Sequence, residues 1–208
     1  MLTEYVEKII NSRVYDVAIE SPLENMSRLS DRMANTIWLK REDLQPIFSF
    51  KLRGAYNRMC RLNDEERVNG VVAASAGNHA QGVALSAQKL GVSALIVMPT
   101  TTPPIKVEAV RSFGAEIILF GDGYDDAFGH AATIASEQGR TFIHPYDDPD
   151  VIAGQGTVAM EIIRQHPEPL AAVFIPVGGG GLIAGMSAYI KTIRPDIKVI
   201  GVEPVDAA

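Results

Sequence analysis

From Val71 onward the chain repeats one pattern: a short apolar run, a turn marked by glycine or proline, and an amphipathic helix. Val71–Ala74, Ala94–Met98, Glu116–Phe120 and Thr141–His144 read as strands, with helices at Asn78–Leu90, Pro104–Phe113 and Tyr124–Gln138 between them. This alternation predicts parallel β-α units with helices on the sheet faces. The near-continuous apolar strands agree, because a sheet covered on both faces has no polar side. After a run of Pro and Asp at 145–149 the pattern resumes: helix Val151–Gln165, strand Ala172–Val177, helix Leu182–Ile193 and strand Lys198–Glu203. The expected architecture is therefore α/β in two domains. A small α/β domain, 56–145, is inserted in a larger one formed by 1–55 and 146–208.

Upstream, residues 3–11 predict an amphipathic helix and Thr36–Lys40 a short strand. Ser21-Pro22-Leu23-Glu24 reads as the start of a further helix, with serine as cap and proline at the first helical position. The chain stops five residues after its last strand, Lys198–Glu203. A parallel sheet needs cover on both faces, so an incomplete large domain from a longer protein is expected, with association of copies over the open side.

Composition removes several function classes. The net charge is −6 and the basic residues are scattered, which argues against a nucleic-acid partner. No apolar run approaches a membrane span. Charged residues within Met1–Asn11 do not suit a signal peptide, and the single cysteine, Cys60, rules out an intramolecular disulfide. The expected compartment is the cytoplasm.

Three stretches carry chemistry. Gly178-Gly179-Gly180-Gly181 lies between a strand and a helix, where glycines let backbone amides converge at a helix N-terminus that favours anions. Ser75-Ala76-Gly77-Asn78-His79-Ala80-Gln81-Gly82 likewise follows a buried strand and opens a helix. Lys51, two residues after the capping serine Ser49, falls in the first turn of a third helix, where the macrodipole disfavours a second cation. A lysine whose ammonium form is destabilised reacts with carbonyl groups. The bland alternatives are a surface lysine, a serine cap at Ser75 and a structural histidine at 79. The stretch 179–184 also fits a dinucleotide fingerprint, with Glu203 near the distance of a ribose-binding carboxylate. That reading leaves Lys51 and the 75–82 stretch without a role.

With Lys40-Arg41-Glu42-Asp43, Ser49-Phe50-Lys51-Leu52-Arg53-Gly54-Ala55 and Ile152-Ala153-Gly154-Gln155-Gly156-Thr157 added, the chain resembles the threonine deaminase family of fold-type-II pyridoxal phosphate (PLP) enzymes, related in fold to tryptophan synthase β, from about Tyr15 to Glu203. The details are nearest to its biosynthetic, isoleucine-pathway branch. The resemblance implies that Lys51 carries the cofactor and later removes the substrate Cα proton. It implies that Phe50 lies against the cofactor, that Asn78 bonds its ring hydroxyl, and that amides of Gly178, Gly179, Gly180, Gly181 and Leu182 hold its phosphate. Ser75, Ala76, Gly77, Asn78 and His79 would bind the substrate. The implied reaction converts L-threonine to 2-oxobutanoate and ammonia, with L-serine as a side substrate. Ala76 stands where related serine racemases place a second serine, and alanine cannot exchange a proton, so racemisation is expected to be poor. Some relatives bind a cation near the position of Glu203. The alternatives are a non-catalytic PLP-binding fragment or a dinucleotide-binding oxidoreductase.

Overall fold

The computed structural model describes residues 2–207. Helix α1 (Leu2–Ile10) leads to strand β1 (Leu23–Asn25), helix α2 (Ser27–Met33) and strand β2 (Trp38–Lys40), and β1 pairs antiparallel with β2. The expected helix at Ser21–Glu24 is thus a strand. The Ser21 hydroxyl is drawn away from capping: it donates to Glu42 Oε1 at 2.6 Å, while its carbonyl accepts from Lys40 Nζ. Helix α3 (Lys51–Met59) follows, then α4 (Asp64–Asn69). The short, polar α4 begins at a capping box in which Asn63 and Glu66 satisfy each other's backbone amides.

The alternating region folds into strands β3 (Val71–Ala74), β4 (Ala94–Met98), β5 (Glu116–Leu119) and β6 (Thr141–Phe142), with helices α5 (Asn78–Leu90), α6 (Pro104–Arg111) and α7 (Tyr124–Gln138) between them. They form one parallel sheet in the order β5-β4-β3-β6. Side chains alternate by strand geometry. Val71, Ala73, Ile96 and Met98 point to the face covered by α3, α5 and α6, and Val72, Ala74, Leu95 and Val97 to the face covered by α7. Each fully buried Val, Ile or Leu contributes roughly 1.5–3 kcal/mol, so the central strands anchor this unit.

Helix α8 (Pro149–Gln165) starts two residues earlier than Val151, because Asp148 Oδ1 accepts from the amides of Asp150 and Val151 and Pro149 occupies the first turn. Strand β7 (Ala172–Pro176), helix α9 (Gly181–Ile193) and strand β8 (Lys198–Val202) follow, with β7 and β8 paired in parallel. Ile175, Met186, Ile190 and Ile197 bury against Val158, Ala159 and Ile162 of α8. On the opposite side Phe174 is 67% exposed. A Cβ at Gly154 would meet the Arg53 carbonyl at 2.6 Å, and one at Gly185 would collide with the Ile152 carbonyl. The glycines of α8 and α9 therefore let α8 press backbone-to-backbone against both α3 and α9, which fixes α3 and the lysine at its head.

Candidate active site

Lys51 opens α3, and its amide donates to Ser49 Oγ at 3.3 Å. Its amine is part-buried and donates to the Pro145 carbonyl at 2.7 Å, 5.6 Å from the centre of the Phe50 ring. Burial pushes the Lys51 pKa down to about 8. Desolvation of the ammonium form is the cause of this shift. Phe50 packs against the cluster around Ile175 and Met186, which brings the head of α3 beside the β7–α9 unit.

The 75–82 stretch reaches the lysine through α5. A Cβ at Gly82 would lie 3.2 Å from the Lys51 carbonyl carbon, and only glycine allows this approach without displacing α3. Ser75 does not cap α5. Its hydroxyl accepts from the Gly77 amide at 3.2 Å, and Gly77 itself holds the cap position with no side-chain bond. The first amides of α5 therefore lack a side-chain cap, beside an open space at Gly77 and the exposed Asn78. His79 is different. It is buried, with Nε2 2.9 Å from the Ile143 carbonyl, and burial pushes its pKa down to about 3. It is neutral at physiological pH, and its Nδ1 has no hydrogen-bond partner among the described residues.

A neutral buried histidine has a measurable consequence. Between about 3 and the ordinary value of 6.5 the folded chain binds fewer protons at His79 than the unfolded chain does. Its stabilising contribution is thus complete above 6.5 and lost as pH falls through that window, by up to about 1.4 kcal/mol per pH unit. Urea unfolding at pH 7 and pH 5 is expected to show wild type losing about 2 kcal/mol more than His79→Gln, which keeps a donor for Ile143 but does not titrate. Equal losses would refute the assignment.

The glycine loop caps α9. Gly180 has φ of 87° and no side-chain cap bond, and a Cβ at either Gly178 or Gly180 would meet nothing within 4 Å. Gly179 and Gly181 are constrained instead by Tyr146: a Cβ at Gly179 would collide with its ring, and one at Gly181 would lie 2.9 Å from its carbonyl oxygen. The loop therefore offers free amides over an open cradle on one side and is backed by Tyr146 on the other. Leu182 packs into the cluster of α8 and α9. Sequence reasoning did not single out Tyr146 or His144. Their only signal was the Pro- and Asp-rich run at 145–149, which His144 precedes and Tyr146 lies within.

An open, uncapped glycine cradle and a buried amine of lowered pKa fit a phosphate-bearing aldehyde. Glu203 is exposed beyond β8, and no group of three or more His, Cys, Asp or Glu among the described residues is placed to hold a metal. The lysine, glycine cradle and parallel α/β sheets are the arrangement of an enzyme that holds a phosphate-bearing aldehyde rather than a dinucleotide.

Comparison with known proteins makes this specific. The family model described as pyridoxal-phosphate dependent enzyme matches residues 14–208, and the chain belongs to that family. It is 61% identical over 204 residues to the biosynthetic, chloroplastic threonine dehydratase of Arabidopsis thaliana, covering 98% of this chain and 34% of that protein. The biosynthetic L-threonine dehydratase of Burkholderia multivorans is 57% identical over 207 residues, with 98% and 41% covered. The chain thus spans between a third and about two fifths of these relatives' length. Among solved structures, the processed form of threonine deaminase isoform 2 from Solanum lycopersicum superposes with a TM-score of 0.95 at 56% identity, covering 98% of this chain and 56% of that one. Maize serine racemase superposes with 0.91 at 33% identity, covering 98% and 61%.

Proposed function

We propose that this chain carries the lysine-bearing part of a PLP-dependent L-threonine ammonia-lyase, acting in isoleucine synthesis, with L-serine as a secondary substrate. The observation that carries the proposal is the Lys51 amine. It is part-buried, bonded to the Pro145 carbonyl at 2.7 Å and lowered in pKa to about 8. Such an amine is partly neutral near physiological pH, as both a nucleophile and a base require.

In this reading Lys51 Nζ holds the cofactor covalently, and the amides of Gly178–Leu182 hold its phosphate at the head of α9. When bound, PLP supplies a conjugated ring that accepts the electron pair left at the substrate Cα. The uncapped amides of Asn78 and His79 at the head of α5, with Ser75, Ala76 and Gly77 beside them, would receive the substrate carboxylate, and Asn78 would orient the ring hydroxyl. Phe50 excludes water from one side of Nζ. With substrate in place, Nζ would take the Cα proton. Loss of the β-hydroxyl as water then gives an enamine, which a second water converts to 2-oxobutanoate and ammonia. Threonine and serine differ by one methyl group, which discriminates by roughly 10–200-fold at most in an apolar pocket. Ala76 has no exchangeable proton to return to the opposite face, so elimination is favoured over racemisation. Copies of the chain associate in this reading, and the proposed compartment is the cytoplasm, although relatives include chloroplastic and mitochondrial enzymes.

The test is an absorption spectrum after incubation with PLP, followed by borohydride reduction, peptide mapping and an assay for 2-oxobutanoate. A visible band, a label on Lys51 and turnover of threonine are expected. A folded sample that gives no band would overturn the reading. A labelled Lys51 without turnover would favour the non-catalytic alternative.

A further inference from the structure

The turn between β6 and α8 holds both halves of the site. The His144 Nδ1 accepts from the Asp147 amide at 2.8 Å and from the Tyr146 amide at 3.4 Å. This closes the turn as an asparagine side chain closes an Asx-turn. The His144 ring meets the Tyr146 ring edge-on at 4.7 Å, and its other contacts are Phe128 at 6.0 Å and Phe142 at 6.2 Å. The residue between them, Pro145, offers the carbonyl that accepts from Lys51 Nζ. The next, Tyr146, backs Gly179 with its ring and Gly181 with its main chain.

We propose that His144 is a positioning residue. By closing the 144–147 turn it places the Pro145 carbonyl on the Lys51 amine and the Tyr146 ring behind the glycine loop, and so sets the distance between the cofactor's two attachment points. The role needs a neutral Nδ1 acceptor. Burial lowers the His144 pKa, while the facing carboxylates of Asp147 and Asp148 oppose that shift and Lys51 adds to it. His144 touches neither substrate nor cofactor in this scheme. Its effect passes through backbone atoms, which explains why the motifs flanking the turn give no hint of it.

This inference deepens the cofactor reading, but its first test needs no cofactor. Competitive acetylation of Lys51 in the full chain, read by peptide mass spectrometry across pH, reports the amine's pKa. Wild type is expected to titrate near 8. His144→Asn, whose Oδ1 can accept the same two amides, is expected to stay within about 0.3 unit of wild type. His144→Phe keeps a ring but offers no acceptor, and is expected to move Lys51 up by about one unit or more as the amine regains water. An unshifted His144→Phe, or a folded His144→Asn shifted as far as His144→Phe, overturns the proposal. Should His144→Phe not fold, Tyr146→Leu tests the other arm. It keeps both His144 bonds, and is expected to leave the Lys51 titration in place while weakening PLP binding about tenfold. PLP binding equal to wild type in that variant also overturns the proposal. If wild type itself binds no PLP while the titrations come out as stated, the cofactor reading fails and the positioning role of His144 stands.

Discussion

Lys51→Ala is expected to abolish the visible PLP band and to lower threonine turnover by about 10³-fold or more. The residue performs two tasks that no neighbour can take over. Among the described residues its amine is bonded to the Pro145 carbonyl where α3 meets α5, and burial has already lowered its pKa to about 8. Lys40, the other buried lysine on this side of the fold, is committed to Glu161 at 2.6 Å and cannot substitute. Phosphate binding at the α9 cradle does not need the amine, so a weak, non-covalent affinity for PLP is expected to remain and can be measured by equilibrium dialysis. Stability should change little, since the lysine makes one hydrogen bond and its ammonium form is disfavoured where it lies. A folded Lys51→Ala chain that retains the band and the turnover would remove the lysine from the mechanism.

The second large effect concerns stability. Arg53, two residues beyond the lysine, is fully buried, and so is Glu161 of α8. The guanidinium donates to both oxygens of Glu42 at 2.8 Å and to both oxygens of Glu161 at 2.6 and 3.0 Å, with Thr157 Oγ1 at 3.1 Å. Lys40 and Tyr15 also bond Glu161. Two cations and two anions make this cluster neutral, and its polar atoms are extensively bonded to one another. Removing one partner strands a buried charge, which costs about 3–5 kcal/mol. Arg53→Met is therefore expected to lower the melting temperature by about 10 °C for a domain of this size. The double variant Arg53→Met with Glu161→Met leaves Lys40 and Glu42 to balance each other. It should be less destabilised than the sum of the two single variants. Additive losses in thermal and urea unfolding would show that these charges do not act as a unit.

Much of the fold was legible because the local signals agree with one another. Val71–Ala74, Asn78–Leu90, Ala94–Met98 and Tyr124–Gln138 have the bounds read from the sequence, where apolar runs meet glycine or proline stops. Ser21–Glu24 misled because a cap signature is local, whereas the Ser21 hydroxyl is taken by a carboxylate twenty-one residues away. Helix α4 is too short and polar for periodicity to reveal it, although Asn63 and Glu66 marked its start. At the site, the lysine and both helix-head stretches stand out because glycine and serine at those positions have few other uses. The Arg53 cluster does not stand out. Its charges lie within three separate segments, and only the packing of α3 on α8 shows that they meet. His144 and Tyr146 act through backbone geometry, which composition does not encode.

The bond between Lys51 and Pro145 joins residues 94 apart in the chain, and the Arg53–Glu161 pair joins residues 108 apart. The sheet β5-β4-β3-β6 lies entirely within the loop that these contacts close. Closing so long a loop is entropically unfavourable until the intervening sheet has shortened it. The bond that buries the amine therefore depends on the sheet that brings its two ends together. Until then Lys51 is an ordinary solvated lysine, predominantly protonated near neutral pH. A chain that has not completed its fold offers an aldehyde only an ordinary lysine with no glycine cradle beside it, so tight capture at this position would report that assembly is complete.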